Sequence, residues 1–513
     1  MKICNNPIRI RQFLWVAGLL ALSFQVIKAI TTGFWLDEAW ISRPIHSYLE
    51  GHGWQRAISN PGEVFRGVYF DNEVISNGPS ILVPALIFSL LLGSINPPVL
   101  HLFIVSHLLL VYISFKNIKL SNALDAICIF LILLVLTPKI SSTHFLGECP
   151  GAFWLLLGFS LIANALEDSS KKNSLWLGGI ALGLALLAKL IFIIAIIPTL
   201  FFLLFRKWKQ PLWMLKLAAA IIIPIFFWHV YQFIHVGGWV HYLEVQSRHF
   251  QFVSNPLMGS GVGSAKTIGQ MWSDFLELSL SGPAFPITLL CLCLSVKQLE
   301  HRRSPKNLWF LFSWMAAVAG LLWWVVLSNF EFHGQGAIIR HSTGFVCVGL
   351  ACASVYIYDA LRLMRTQHKL NEVMRNYVMV VAVISFSIMI FTGSYRYLIR
   401  DKGYGIYSSW KEQEQLAGWI NRYGSSGRLL PIFNCDPELS GALAASHITF
   451  PQEVLSSGLF KVYSCETSEM VRLASEDFIV ILNGESGKIN MRNLGLILKE
   501  GNAHKGGVWR LYE

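Results

Sequence analysis

Two adjacent carboxylates, Asp37 and Glu38, stand between Trp35 and Trp40 in the stretch GFWLDEAW, directly after the first long apolar run of the chain. Acid pairs are uncommon where a membrane helix leaves the bilayer, unless they cap a helix or do chemistry. Asp is a good N-cap, and acids near a helix start suit its dipole. One reading is therefore a cap on an interfacial helix over 39–49. The other makes Asp37 a general base at the membrane surface, with Glu38 holding an acceptor or a cation. The residues alone leave both open.

Further along, THFLGECPGAFWLLLGF puts Glu148 where another apolar run begins, with His144 four residues earlier. On a helix the two share a face, so His144 and Glu148 are candidate ligands for a divalent metal. Nothing in the sequence requires a cofactor. Lys189 ends the run GGIALGLALLAK, and EFHGQGAIIRHSTGF brings His333 and Arg340 to the start of a late apolar run. A lysine at a span end can simply snorkel to the interface. Cations on an outer face run against the inside bias of Lys and Arg, and their natural use there is to neutralise a phosphate.

The segment 230–282 contains HYLEVQSRHF, in which His241, Glu244 and Arg248 fall on one helical face; a solvated amphipathic helix is the plain reading. The same segment holds GSGVGSAKT. It fails the phosphate-loop pattern, because Ala265 occupies the glycine position before Lys266. Nucleotide binding is rejected on that ground.

The elements that must position these residues follow from composition. The chain is 54% hydrophobic and 14% charged, with a mean hydropathy of +0.51. Apolar runs of bilayer-spanning length recur throughout, so the expected class is an all-α polytopic membrane protein. The formal charge of +11 then reports topology before it suggests nucleic acid. MKICNNPIRIRQ leads into an apolar stretch at 13–30 with no A-x-A-like site after it, which reads as an uncleaved first span with the N-terminus inside. Further spans are expected near 81–115 (bent at its prolines), 123–137, 150–166, 174–189, 190–205, 211–229, 283–296, 307–328, 341–358 and 377–395.

Basic clusters at Lys116/Lys119, Lys171/Lys172, Arg206/Lys207/Lys209, Arg302/Arg303/Lys306 and Arg362/Arg365/Lys369 fall in alternate loops. Placing them all in the cytoplasm gives about eleven spans and sends 31–79, 138–149, 230–282 and 329–340 to the outer face. The tail 396–513 follows them there. Its texture differs, with helices expected at 410–423 and 437–446 and strands in RLLPIFNC, DFIVILN, LGLILKE and GGVWRLYE. It reads as a small extracytoplasmic α/β domain beside a transmembrane domain over 1–395. Cys435 and Cys465 lie in it, either disulfide-bonded or free. Cys128, Cys291, Cys293, Cys347 and Cys352 lie in apolar runs and read as small buried residues.

In their order and position these pieces resemble the GT-C glycosyltransferases, which include protein O-mannosyltransferases and bacterial aminoarabinose transferases. The likeness runs over residues 10–395. LDEAW follows the first span, NGPSILVPAL opens the next apolar segment, and FLGECPGAFWLLLGF supplies a Gly-Glu at a span start. GGIALGLALLAK and IIRHSTGF complete the series. Two departures stand out: NGPSIL replaces a Pro-Pro-aromatic pattern, and STHFLGE lacks the Arg and Asp common around the second acid.

The resemblance implies an integral-membrane transferase that takes a sugar from a polyprenyl-phosphate donor. The acceptor is an envelope glycolipid, polysaccharide or protein on the outer face of the cell membrane. It makes Asp37 and Glu38 the catalytic pair and assigns Glu148, Lys189, Arg340, His333 and Arg248 to substrate. A single displacement of this kind inverts the anomeric carbon. The alternative is a transporter, flippase or polymerase of lipid-linked glycans, although no internal repeat of the kind common in transporters is visible.

Overall fold

The computed structural model describes residues 7–32, 36–49, 64–65, 68–69, 78–93, 95–137, 143–168, 172–235, 237–254, 266–280, 282, 284–295, 304–327 and 337–366. In the C-terminal part it describes 430–434, 460–464, 478–482, 498–504 and 507–512. The described chain is mostly helical. Seven helices among these residues are long and apolar enough to cross a membrane: Arg11–Thr31, Pro97–Asn117, Glu148–Glu167, Leu190–Lys207, Pro211–His235, Pro305–Val326 and Ser342–Arg362. The protein is a multi-pass membrane protein.

Local sequence sets the helix limits. The first helix, α1 (Pro7–Thr31), has Pro at its first position, where the missing N–H costs nothing. A short helix α2 (Leu36–Leu49) follows, so Asp37 and Glu38 lie inside its first turn rather than ahead of it. The apolar segment expected as one bent span divides in two. Helix α3 (Pro79–Leu92) stops at Gly93, whose φ of 70° is the left-handed C-cap that glycine tolerates. Asn96 then caps α4 (Pro97–Ser106), its side chain accepting from the Val99 amide at 3.0 Å, and α5 (Leu108–Asn117) continues the path.

Next come α6 (Ala123–Val135), α7 (Glu148–Glu167), α8 (Lys172–Ala188), α9 (Ile193–Lys207) and α10 (Pro211–His235). The last of these runs beyond its expected end and takes in the start of the segment assigned to the outer loop. That segment folds as α11 (Trp239–Ser254) and α12 (Ile268–Leu280), followed by α13 (Ala284–Leu294), α14 (Pro305–Leu322) and α15 (Ala337–Thr366). The span expected at 377–395 lies outside the described residues.

Helix α7 is the axis of the core, packed against α5, α8, α14 and α15. Trp309 of α14 is buried and donates its indole N–H to the Leu156 carbonyl of α7 at 3.0 Å. By contrast α9 and α10 turn Phe201, Phe205, Phe226 and Phe227 outward, as lipid-facing helices do. Close packing relies on small residues, because lipid tails supply no hydrophobic drive between helices. A Cβ at Gly183 of α8 would lie 2.4 Å from the Ile221 carbonyl oxygen and 2.5 Å from the Pro224 ring on α10. Backbone cannot yield there. Gly183→Val is therefore expected to cost about 1–3 kcal/mol, read as a lower unfolding midpoint in detergent, while Gly183→Ala costs less.

The C-terminal strands form one mixed sheet. In chain order after the small hairpin β1 (Val64–Phe65) and β2 (Val68–Tyr69) they are β3 (Leu430–Asn434), β4 (Phe460–Ser464), β5 (Phe478–Leu482), β6 (Leu498–His504) and β7 (Gly507–Tyr512). Their spatial order is β4-β3-β5-β7-β6, with β3 parallel to both neighbours and β7 antiparallel to both of its own. Strand β4 was not foreseen, and β6 begins four residues later than the apolar start of LGLILKE suggests. The helices expected at 410–423 and 437–446, with Cys435 and Cys465, lie outside the described residues. Among the cysteines read as buried, Cys293 is exposed, because α13 turns it outward.

Candidate functional site

The acid pair sits where four pieces of backbone converge. Glu38 points inward from the first turn of α2 and is fully buried. Its Oε1 accepts from the Phe145 amide at 2.5 Å and lies 2.7 Å from His101 Nε2 of α4. Its Oε2 lies 2.8 Å from His144 Nδ1 in the turn before α7. The two imidazole rings stand edge to face, 5.7 Å between centroids. The other nitrogen of His101, Nδ1, lies 3.1 Å from the Ala29 carbonyl near the end of α1. One carboxylate thus ties α1, α2, α4 and the approach to α7 together.

Burial by itself would raise the Glu38 pKa. The charges and hydrogen bonds of His144 and His101 outweigh it and hold the carboxyl well below the usual carboxylate range. For His144, burial pushes the pKa down against the pull of Glu38, with the Lys28 charge acting in the same direction as burial. An ionised Glu38 beside a neutral His144 is the state these forces favour.

A second buried pair lies close by. Glu148, at the first position of α7, accepts from the Lys189 ammonium in the turn after α8. The carboxylate is almost wholly enclosed and the lysine about three-quarters so, with side-chain exposures of 3% and 23%. The backbone explains the meeting. Helices α7 and α8 form an antiparallel hairpin, and a Cβ at Gly158 would sit 3.0 Å from the Gly178 carbonyl oxygen, so they approach closely. The start of one is then brought to the end of the other. Gly344 of α15 packs into the same corner, its Cβ position 2.8 Å from the Glu148 carbonyl oxygen.

Most of the residues singled out by the sequence have a place in or near this end of the bundle. His144 and Glu148, named together as a metal pair, have different partners: His144 turns to Glu38 and Glu148 to Lys189. Lys189 is engaged by a carboxylate rather than left as a bare cation. Arg340 lies on α15 one turn before Gly344, which places its backbone beside the Glu148 corner; its side chain lies outside the described residues. So do the side chains of Asp37 and Arg248 and the whole of His333. His241 and Glu244 are both exposed on α11 and stand 3.8 Å apart, as a solvated face would have them. Lys266, from the rejected phosphate-loop pattern, is buried and donates to Asp274 at 2.5 Å and to the Trp324 carbonyl at 2.7 Å.

His101 escaped the sequence reading altogether. A lone histidine in an apolar run is ordinarily a core residue. The usable signal was its position, one turn after Asn96-Pro97-Pro98 and so near a helix start. Among the described residues, Glu38, His101 and His144 form a group of metal-binding type, their ligand atoms all within 4.8 Å of one another.

The far end of the bundle has a different character. There Lys119 meets Glu167 at 3.4 Å, Arg11 meets Asp125 at 3.2 Å and Lys306 meets Asp359 at 2.8 Å.

No protein-family model and no curated protein matches this sequence. Solved structures do. ArnT from Cupriavidus metallidurans bound to undecaprenyl phosphate matches over 97% of each chain with a TM-score of 0.57 at 10% identity. The same protein in the apo state matches over 97% of each chain with a TM-score of 0.51 at 11% identity. The archaeal oligosaccharyltransferase AglB from Archaeoglobus fulgidus, in complex with an inhibitory peptide and a dolichol-phosphate, has a TM-score of 0.52 at 13% identity. That match covers 91% of this chain and 69% of that one. At such identities the likeness is one of fold alone, shared with ArnT and AglB.

Proposed function

We propose that this protein is an integral-membrane glycosyltransferase. It moves a sugar from a polyprenyl-phosphate donor to an envelope acceptor on the outer face of the cell membrane, with inversion. One observation carries the reading. The acid-bearing turn of α2, the Glu148–Lys189 pair and the start of α15 gather at one end of a bundle whose fold is shared with ArnT bound to undecaprenyl phosphate. The basic chain ends at Lys119, Arg206, Lys207 and Lys306 gather at the other, which supports a cytoplasmic N-terminus and an extracytoplasmic site. Both α3 and α4 begin at the acid end, through the Gly78 amide on Leu187 and His101 on Glu38, so this stretch carries the chain across once. In this reading residues 1–395 form the catalytic domain and 396–513 an extracytoplasmic α/β domain.

The chemistry follows from the donor. Its lipid stays in the bilayer and its phosphate lies at the surface. Phosphate leaves well once its charge is stabilised, so no general acid is needed. Arg340 and Lys189 are assigned to that charge, with Glu148 tuning how much of the lysine is available. The acceptor hydroxyl attacks an oxocarbenium-like anomeric carbon and gives its proton to Asp37. Glu38 holds the turn that carries Asp37, and His333 and Arg248 are assigned to sugar and acceptor.

The test uses purified protein in liposomes with a polyprenyl-phosphate donor labelled in its sugar, plus mixed envelope acceptors. Label leaving the lipid for an acceptor is the expected result. Intact labelled lipid changing leaflet, with no label released, would make the protein a transporter instead.

A further inference from the structure

We infer that Glu38, His101 and His144 form a binding site for one divalent transition-metal ion of the zinc type, a centre that positions the acid-bearing turn. His101 has an acceptor oxygen beside each of its ring nitrogens. Its Nδ1 faces the Ala29 carbonyl and its Nε2 faces Glu38 Oε1, and both oxygens only accept when the glutamate is ionised. The Phe145 amide on Oε1 and the His144 ring on Oε2 surround that carboxylate with donors, which is how an ionised carboxylate is held. His101 can satisfy both neighbours in two ways. It bridges them as a hydrogen-bonded ring, or Nε2 offers its lone pair to a cation that it shares with Glu38.

The second way leaves Nδ1–H donating to a backbone carbonyl. That is the arrangement by which metal-bound histidines are usually oriented, and the Phe145 amide plays the same supporting part for the carboxylate. Two imidazoles and one carboxylate are a donor set suited to zinc and its neighbours, and poor for calcium or magnesium, which prefer all-oxygen shells. Ligand atoms around a tetrahedral ion at about 2.0–2.2 Å sit roughly 3.3–3.5 Å apart, so binding widens the two histidine contacts by about half an ångström. Lys28 at the end of α1 opposes a cation, and the Glu38 charge offsets it.

Such an ion would fasten α2, α4 and the approach to α7 directly, with α1 held through Ala29. It would fix the first turn of α2, and with it Asp37, against the bundle. The inference rests on the buried triad and holds whatever reaction the outer face performs.

The experiment measures metal content of the full-length protein, purified without a polyhistidine tag, incubated with Zn²⁺ and then freed of unbound ion. About one ion per chain is expected in the wild type, and less than about 0.2 in Glu38→Gln, His101→Gln and His144→Gln. Because a variant can fail to fold, the wild type is also stripped with a chelator and reloaded. Stripping should lower the unfolding midpoint by about 5 °C or more, and Zn²⁺ should restore it. Co²⁺ in its place should give the visible absorption of a tetrahedral site. A wild type that retains no stoichiometric ion and whose midpoint ignores both chelator and Zn²⁺ overturns the proposal, and the triad is then a hydrogen-bonded ion pair. An ion that persists in all three folded variants overturns it too.

Discussion

Asparagine at position 37 is expected to lower sugar transfer by about 10²–10⁴-fold, the range a lost general base produces. The substitution is close to isosteric. It keeps a side-chain acceptor in the first turn of α2 but removes the group that can hold the acceptor's proton. Because that interaction is made only as the hydroxyl attacks, kcat and kcat/KM should fall together, with donor binding little changed. Membrane insertion and purified yield should match the wild type, since Asp37 is not part of the buried triad that fixes the turn. Glu38→Gln is the contrast: it should disturb the triad and lower the unfolding midpoint as well as the rate. The sequence alone offered two roles for LDEAW, a cap or a base. The helix begins at Leu36 and Glu38 is fully buried, so holding the helix in place falls to Glu38. That division leaves Asp37 as the acid to test for chemistry. If Asp37→Asn transfers sugar at the wild-type rate, Asp37 is not the base and the assignment of the whole site falls with it.

Much of the helical framework was legible because apolar runs bounded by caps and basic ends need only local information. Pro-Pro after Asn96, Pro after Ser304 and the αL glycine at 93 each mark a boundary that the helices respect. The sequence marked Glu148 at a helix start and Lys189 at a helix end without pairing them, and they meet because α7 and α8 are antiparallel neighbours. What could not be read was pairing. His144 lies four residues from Glu148 and shares a helical face with it only if both are on the helix. The turn before α7 breaks that face and sends the histidine to a carboxylate on another element. His101 carried no local mark at all, because its partners lie on α1, α2 and the approach to α7. Long-range contacts among polar residues are set by how the helices pack, and that depends on small-residue surfaces such as Gly158, Gly178 and Gly183.

The Glu148–Lys189 pair gives the second large effect, and it separates a structural role from a role toward the donor. Lys189→Met leaves an ionised carboxylate almost wholly enclosed with its cation gone. Breaking a fully buried pair costs roughly 3–5 kcal/mol; the lysine is partly exposed, so about 2–3 kcal/mol is the expected loss here. It should be read as a lower unfolding midpoint in detergent. Combining it with Glu148→Gln removes the orphaned charge, and most of the stability should return, as buried pairs replaced together commonly allow. The double variant then isolates function. If Lys189 contributes charge to the departing phosphate, the restored protein should still transfer sugar at least about 10²-fold more slowly, the loss typical of removing one charge-stabilising donor. A double variant that is both stable and fully active would show that the pair only clamps α7 to α8, and would leave Arg340 as the cation assigned to the phosphate.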